Sequence, residues 1–347
     1  MKKKLIFIAK DMGSANVTCP LALVCLQQGH EVVAVVEGLA AGIYEKAGIY
    51  PYFKGTVDFL DEPFNLNAEA VLRKIKPDGV VVGLSSPINL EQQFGLAANA
   101  LGGLLIECVD FWNGTNRSSS QPQVIFSIDE VDAKLSLRRH PLAKVYIVGN
   151  PGVPWPATVK SALEVDKLRE RFDKIYTYIG GGEYTGDEIE FLVKCLHETF
   201  GNWVLVPRFH PKHAKREYPS QKGLTYGDVW AEMLTPLRNR IVYLPEVKST
   251  ESVVVASDAT FSSWSTLLTT SAQAGKVTAS LWVPSARKEL KELTELDQVP
   301  VVDLGCCHSL TEVTDLSRLT PPDSESIAKL KPYDPQVAYE VLMRSIL

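Results

Sequence analysis

Ser257-Asp-Ala-Thr-Phe-Ser-Ser-Trp-Ser-Thr-Leu-Leu-Thr-Thr-Ser-Ala-Gln-Ala-Gly-Lys276 reads as one βα unit in three consecutive pieces. Residues 259–261 form a short β-prone end of a buried strand, 262–265 a hydroxyl-rich turn, and the stretch from Ser265 an amphipathic helix closed by Gly275. Ser262, Ser263, Ser265 and Thr266 fall around the helix N-terminus, where unpaired backbone N–H groups and the positive dipole end favour an anion such as phosphate. Simple N-capping accounts for one of these hydroxyls equally well.

The same strand-then-helix rhythm runs through the chain. Continuous apolar runs at 5–9, 32–36, 79–83, 104–109 and 145–148 are of the kind buried on both faces of a parallel sheet. Helical patterns at 16–28, 90–101 and 130–139 separate them, which predicts a doubly wound α/β domain. Three prolines and two glycines within 149–156 break the pattern and mark a hinge. Beyond it come strands at 174–179, 203–206, 241–244, 259–261 and 277–283, and helices at 187–200 and 252–256. The expected organisation is a first Rossmann-like domain over 1–150, a second over 151–333, and a closing amphipathic helix over 334–347 packed near the junction.

Composition narrows the function. The 347 residues carry 45% hydrophobic and 22% charged side chains, enough for two cores. A net charge of -5 gives no global pull toward nucleic acid or an anionic membrane, although Arg117, Arg138, Arg139 and Lys144 are a notable basic group in the first half. None of the six cysteines falls in a CxxC or zinc spacing, and most lie in apolar runs, as expected of reduced core thiols in a cytoplasmic protein. The apolar run after Lys2–Lys4 is too short for a signal segment, and no run approaches membrane-spanning length.

Chemistry-bearing residues collect at predicted strand ends, where open α/β sheets bind ligands. The first strand leads into Asp11-Met-Gly13-Ser14-Ala-Asn16, a turn whose lone glycine excludes the GxGxxG dinucleotide fingerprint. Val82-Gly-Leu-Ser85-Ser86-Pro and Glu107-Cys-Val-Asp110-Phe-Trp112-Asn113-Gly end two further strands. Asp110 offers a carboxylate to take a proton and Trp112 a ring to stack on a sugar. In the second half, Gly180-Gly181-Gly182 follows a strand and opens a helix without the Lys of a Walker loop, so backbone can approach a ligand closely. Arg208-Phe-His210-Pro-Lys212-His213 is suited to neutralising a phosphate or protonating a leaving group. Tyr243-Leu244-Pro245-Glu-Val247 closes another expected strand and could meet a nucleobase edge.

Taken in order, these motifs resemble the two-domain GT-B glycosyltransferase fold, in the superfamily that also holds the non-hydrolysing UDP-N-acetylglucosamine 2-epimerases. The resemblance spans nearly the whole chain. It rests on the Gly-Ser-Ala-Asn start, Val148-Gly-Asn-Pro-Gly, the glycine run, His210-Pro211, and Ser262-Ser263-x-Ser-Thr before Gly275-Lys276. His-Pro followed by a serine pair is similar to what sialyltransferases, Kdo transferases and glycerophosphotransferases use on a donor phosphate. The resemblance implies two Rossmann-like domains facing across a cleft and transfer from a nucleotide sugar, a UDP-sugar foremost, without a metal or other cofactor. It places the donor phosphate at Gly180–Gly182, Arg208, His210, Lys212, Ser262, Ser263, Ser265 and Thr266, and the base near 243–247. The acceptor would lie at Gly13, Ser14, Asn16, Ser85, Ser86, Trp112 and Asn113, with Asp110 as base. The chain departs from the epimerases where they carry an acid at the strand end held here by Leu84 or Ser85, and in lacking their Pro-Glu-Glu segment. The glutamate that many members place in the serine-motif helix is also missing, its place falling among Leu267, Leu268, Thr269 and Thr270. An epimerase or hydrolase, and a phage-type DNA base glycosyltransferase, stay open as alternatives.

Overall fold

A computed structural model describes residues 1–55, 67–85, 89–151 and 159–346. The chain divides into two compact units, Met1–Pro151 with Lys331–Leu347, and Gly152–Leu330. Residues 331–333, expected with the second domain, therefore belong to the first, and most of the expected hinge lies outside the described residues.

In the first unit seven parallel strands are ordered β3-β2-β1-β4-β5-β6-β7. They are β1 (Lys4–Ala9), β2 (Glu31–Glu37), β3 (Phe53–Gly55), β4 (Gly79–Val82), β5 (Leu105–Cys108), β6 (Val124–Ser127) and β7 (Lys144–Ile147). Winding outward from β1 in both directions sets a topological switch point between β1 and β4, in register Leu5↔Gly79 to Ile8↔Val82. β4, β5 and β6 are buried at every position, as continuous apolar runs require. β7 departs from that expectation: as the sheet edge it leaves Lys144, Tyr146 and Ile147 exposed. β3 and β6, along with the helices Gly38–Lys46 and Ala68–Ile75, escaped the sequence reading. The closing helix Pro335–Ile346 buries Ala338 and Leu342 in the first unit's core, against the helix Met12–Gln27.

The second unit holds a five-stranded parallel sheet ordered β12-β11-β10-β8-β9. Its strands are β8 (Lys174–Gly180), β9 (Trp203–Phe209), β10 (Ala259–Ser262), β11 (Val277–Leu281) and β12 (His308–Leu310). Here the winding direction reverses between β8 and β10, so Gly180 and Ser262 end the two strands that flank the switch point. The expected strand at 241–244 does not form; only an isolated bridge ties Ile241 to Leu205. All six cysteines are free, five of them buried. No helix among the described residues is long and apolar enough to cross a membrane.

Candidate functional site

At the β8/β10 switch point the register Phe261↔Tyr178 and Gly180↔Phe209 sets the serine turn, the glycine turn and His210 side by side at the carboxyl edge. The His210 N–H donates to Gly180 O at 2.9 Å, its side chain is exposed, and its ring meets that of His213 at 5.5 Å. Gly182 cannot carry a side chain because a Cβ there would lie 2.3 Å from the Tyr184 ring, which packs on the loop and continues into Trp264 at 5.9 Å. Lys212 belongs to the short helix Pro211–Ala214, and its side chain lies outside what is described.

Among the hydroxyls, Ser265 caps the helix Thr266–Gln273, accepting from Leu267 N at 3.2 Å, which leaves the Thr266 N–H without an intrahelical partner. Ser262 Oγ is fully buried and lacks a hydrogen-bond partner. Ser263 is committed internally: its hydroxyl donates to Leu281 O, its carbonyl accepts from Ser280, and its N–H donates to the Glu188 carboxylate. Ser263 is thus part of the frame rather than a phosphate ligand. Arg208 is likewise diverted, donating to Leu244 O at 2.9 Å and Val247 O at 2.8 Å. Leu244 and Val247 lie in a core cluster, and the Val247 N–H donates to Leu244 O, so these main-chain groups are already used. Tyr243 and Pro245 remain exposed.

The corresponding edge of the first unit is acidic. Asp110 follows β5 and its carboxylate lies against Gly13 near the start of the helix Met12–Gln27; a Cβ on Gly13 would sit 1.9 Å from Oδ2. Its Oδ1 is enclosed without a hydrogen-bond partner. Burial, with Asp11 adding repulsion and Arg117 opposing, pushes the Asp110 carboxyl up to about 7. Asp11 caps the same helix through Ser14 N at 2.9 Å. Ser14 and Ser85 are buried and bonded to each other at 3.1 Å, and Ser85 also donates to Glu91. They brace the turn and do not face a ligand. Trp112 is 2% exposed, with its indole N–H donating to Asp129 at 2.7 Å, and the Asn113 N–H donates to Asp132 at 2.9 Å. These two therefore fix the loop that carries Asp110 instead of meeting a sugar. Asn16 is exposed on the first helix, and Ser86 lies outside the described residues.

Four buried acids escaped the sequence reading: Glu91, Glu107, Asp132 and Glu188, each pushed by burial up to about 7. Glu91 and Glu188 sit on the apolar stripes of their helices, with Phe94 and Ala98, and with Leu192 and Cys195, respectively. A charged residue on such a stripe is the signal that could have found them. Glu107 interrupts a wholly buried strand. No group of three or more His, Cys, Asp or Glu among the described residues could hold a metal ion.

No protein-family model matches the chain, and no curated protein matches it. Its fold is similar to several solved structures. A Staphylococcus aureus MnaA–UDP complex is 16% identical at TM-score 0.63, covering 100% of this chain and 96% of that one. The Methanocaldococcus jannaschii UDP-GlcNAc 2-epimerase is 12% identical at TM-score 0.58, covering 98% and 99%. The glycotransferase of kitacinnamycin is 12% identical at TM-score 0.60, covering 100% of both chains. The fold class is therefore that of the GT-B-like proteins, with two Rossmann-like sheets.

Proposed function

We propose that the protein is a glycosyltransferase that moves a sugar from a nucleotide sugar, UDP-linked by preference, to an acceptor hydroxyl. The observation that carries this reading is Asp110: a carboxyl wedged against Gly13, with an unpartnered oxygen, pushed up to about 7. A general base tuned near the working pH is what activation of a hydroxyl needs. Asp110 takes the proton of the acceptor hydroxyl as its oxygen bonds to the anomeric carbon, and the bond from that carbon to the donor phosphate breaks. With one base on one face, the anomeric carbon inverts. In the second unit the departing phosphate is received by His210, the glycine turn and the Thr266 N–H, with Ser262 buried behind them, and this charge stabilisation calls on no metal.

Solved structures of the same fold include UDP-GlcNAc 2-epimerases, which supports epimerase or hydrolase chemistry as a second reading. The basic residues that would favour a DNA acceptor divide between two edges: Arg138, Arg139 and Lys144 flank the amino end of β7, whereas Arg117 follows β5 near Asp110. The test combines a thermal-shift screen of UDP, CMP, GDP and ADP sugars with product analysis of the best binder, with and without acceptor sugars. Transfer only when acceptor is present supports the proposal. Epimerised or hydrolysed donor in its absence supports the second reading.

A further inference from the structure

We propose that Glu188 is a positioning residue for the donor phosphate, locking the glycine turn, β8 and the serine turn into one frame through Tyr178 and the Ser263 N–H. Glu188 stands one turn into the helix Thr185–Glu198, fully buried, and no motif reading reached it. Its Oε2 accepts the Tyr178 hydroxyl of β8 at 2.7 Å. Its Oε1 accepts from the Ser263 N–H, just past the end of β10. Ser263 is held in turn by Ser280 and Leu281 of β11, so one carboxyl ties together the strands on both sides of the switch point and the helix that the glycine turn opens.

The arrangement has a functional consequence because the tie is ionisable and holds Ser263, three residues before the Thr266 N–H that opens the next helix. Burial pushes Glu188 up to about 7, while the bonds from Ser263 and Tyr178 pull it down. The ionisable groups facing it are Tyr178 on β8, Tyr184 just before its own helix, and Glu289 on the helix Pro284–Thr294, itself raised by burial and then by Glu183 and Glu292. These neighbours supply no positive charge. A phosphate arriving above the serine turn adds negative charge near Glu188, so donor binding and protonation of Glu188 reinforce each other. The donor phosphate then binds best where Glu188 is neutral, below about pH 7, and more weakly as it ionises.

This inference rests on the donor site proposed above, and its test separates the two. Wild type and Glu188→Gln, a neutral isostere, are 15N-labelled, and the Ser263 amide resonance is followed from pH 5.5 to 8.5; UDP affinity is measured by calorimetry at pH 6 and pH 8. The expected result is a Ser263 titration in wild type that is absent in Glu188→Gln. UDP affinity should weaken about tenfold more in wild type than in the variant between the two pH values, since one pKa unit of coupling corresponds to a factor of ten. The difference between the proteins cancels ionisation of UDP itself. A flat Ser263 resonance in folded wild type, or parallel affinity curves for the two proteins, overturns the role of Glu188. If Ser263 titrates but UDP binds wild type at neither pH, the donor site itself is refuted, and the role toward phosphate falls with it.

Discussion

Replacing Gly13 by alanine sets two well-known effects against each other. Gly13 is the second residue of the helix Met12–Gln27 and has no left-handed backbone, so helix propensity alone predicts that Gly13→Ala stabilises by about 0.5 to 1 kcal/mol. Sterics predict the opposite. The new Cβ would fall 1.9 Å from Asp110 Oδ2 and 3.1 Å from Cγ, whereas carbon and oxygen ordinarily approach no closer than about 3.3 Å. The carboxylate must retreat by roughly an ångström into a wall where Oδ1 is already enclosed. Overpacking of this kind costs about 1 to 3 kcal/mol, which outweighs the propensity gain. We therefore expect a net loss of about 0 to 2.5 kcal/mol, read as a lowered urea midpoint with unchanged slope. Turnover should suffer more than stability, because misplacing a reacting group by an ångström costs about a hundredfold. In the double variant with Asp110→Asn the turnover losses should fail to add, since both act on one group. A folded Gly13→Ala protein with raised stability and normal turnover would refute the contact and the role of Asp110 together.

Asp110→Asn itself should lower kcat by about 10² to 10⁴ and remove an acid limb centred near pH 7, with donor affinity unchanged. Because its folded pKa lies above the unfolded value of 3.8, Asp110 makes wild type lose stability as pH rises from about 4 to about 7, by up to about 1.4 kcal/mol per pH unit. Urea unfolding at pH 5, 6, 7 and 8 should show a shallower decline in the Asn variant; identical slopes contradict the burial argument. Arg208→Ala strips donors from Leu244 O and Val247 O and should cost about 2 to 3 kcal/mol. It should weaken uridine and UDP by the same factor, and a loss confined to UDP would return Arg208 to the phosphate. His30 takes the Lys3 N–H on Nδ1 at 3.0 Å, so Nε2 carries the proton and donates to Tyr339 at 3.0 Å. Burial and then the N-terminal charge lower its pKa, so the stability from this tie is fully present above the ordinary imidazole value and is lost as pH falls through the lowered one. Amides of the helix Pro335–Ile346 should then exchange faster at pH 5 than at pH 7 after correction for intrinsic rates, and unchanged protection would sink this reading.

The sheets were legible where burial on both faces produces a continuous apolar run, as in β4 and residues 5–9 of β1. The edge strands β3 and β12 were not, nor was the short interior strand β6. β3 and β12 are three-residue strands with little apolar signal, and 241–244 has strand-like residues whose carbonyl at Leu244 is taken by Arg208. The motifs at strand ends were found because glycine runs and hydroxyl clusters interrupt periodicity. Their roles were harder to read, since sequence cannot say whether a polar group is aimed outward or bonded inward. Ser263, Arg208 and Trp112 all turned out to be bonded inward, to Glu188 and Leu281, to Leu244 and Val247, and to Asp129.

The helix Pro335–Ile346 completes the core of a unit whose other residues end at Pro151. During vectorial synthesis the first sheet therefore emerges from the ribosome well before Ala338 and Leu342, while 152–330 is made whole in the interval. The nascent first unit therefore waits with the face of the helix Met12–Gln27 that the closing helix will cover still open, whereas the second unit has every residue of its own core in hand when it leaves the tunnel.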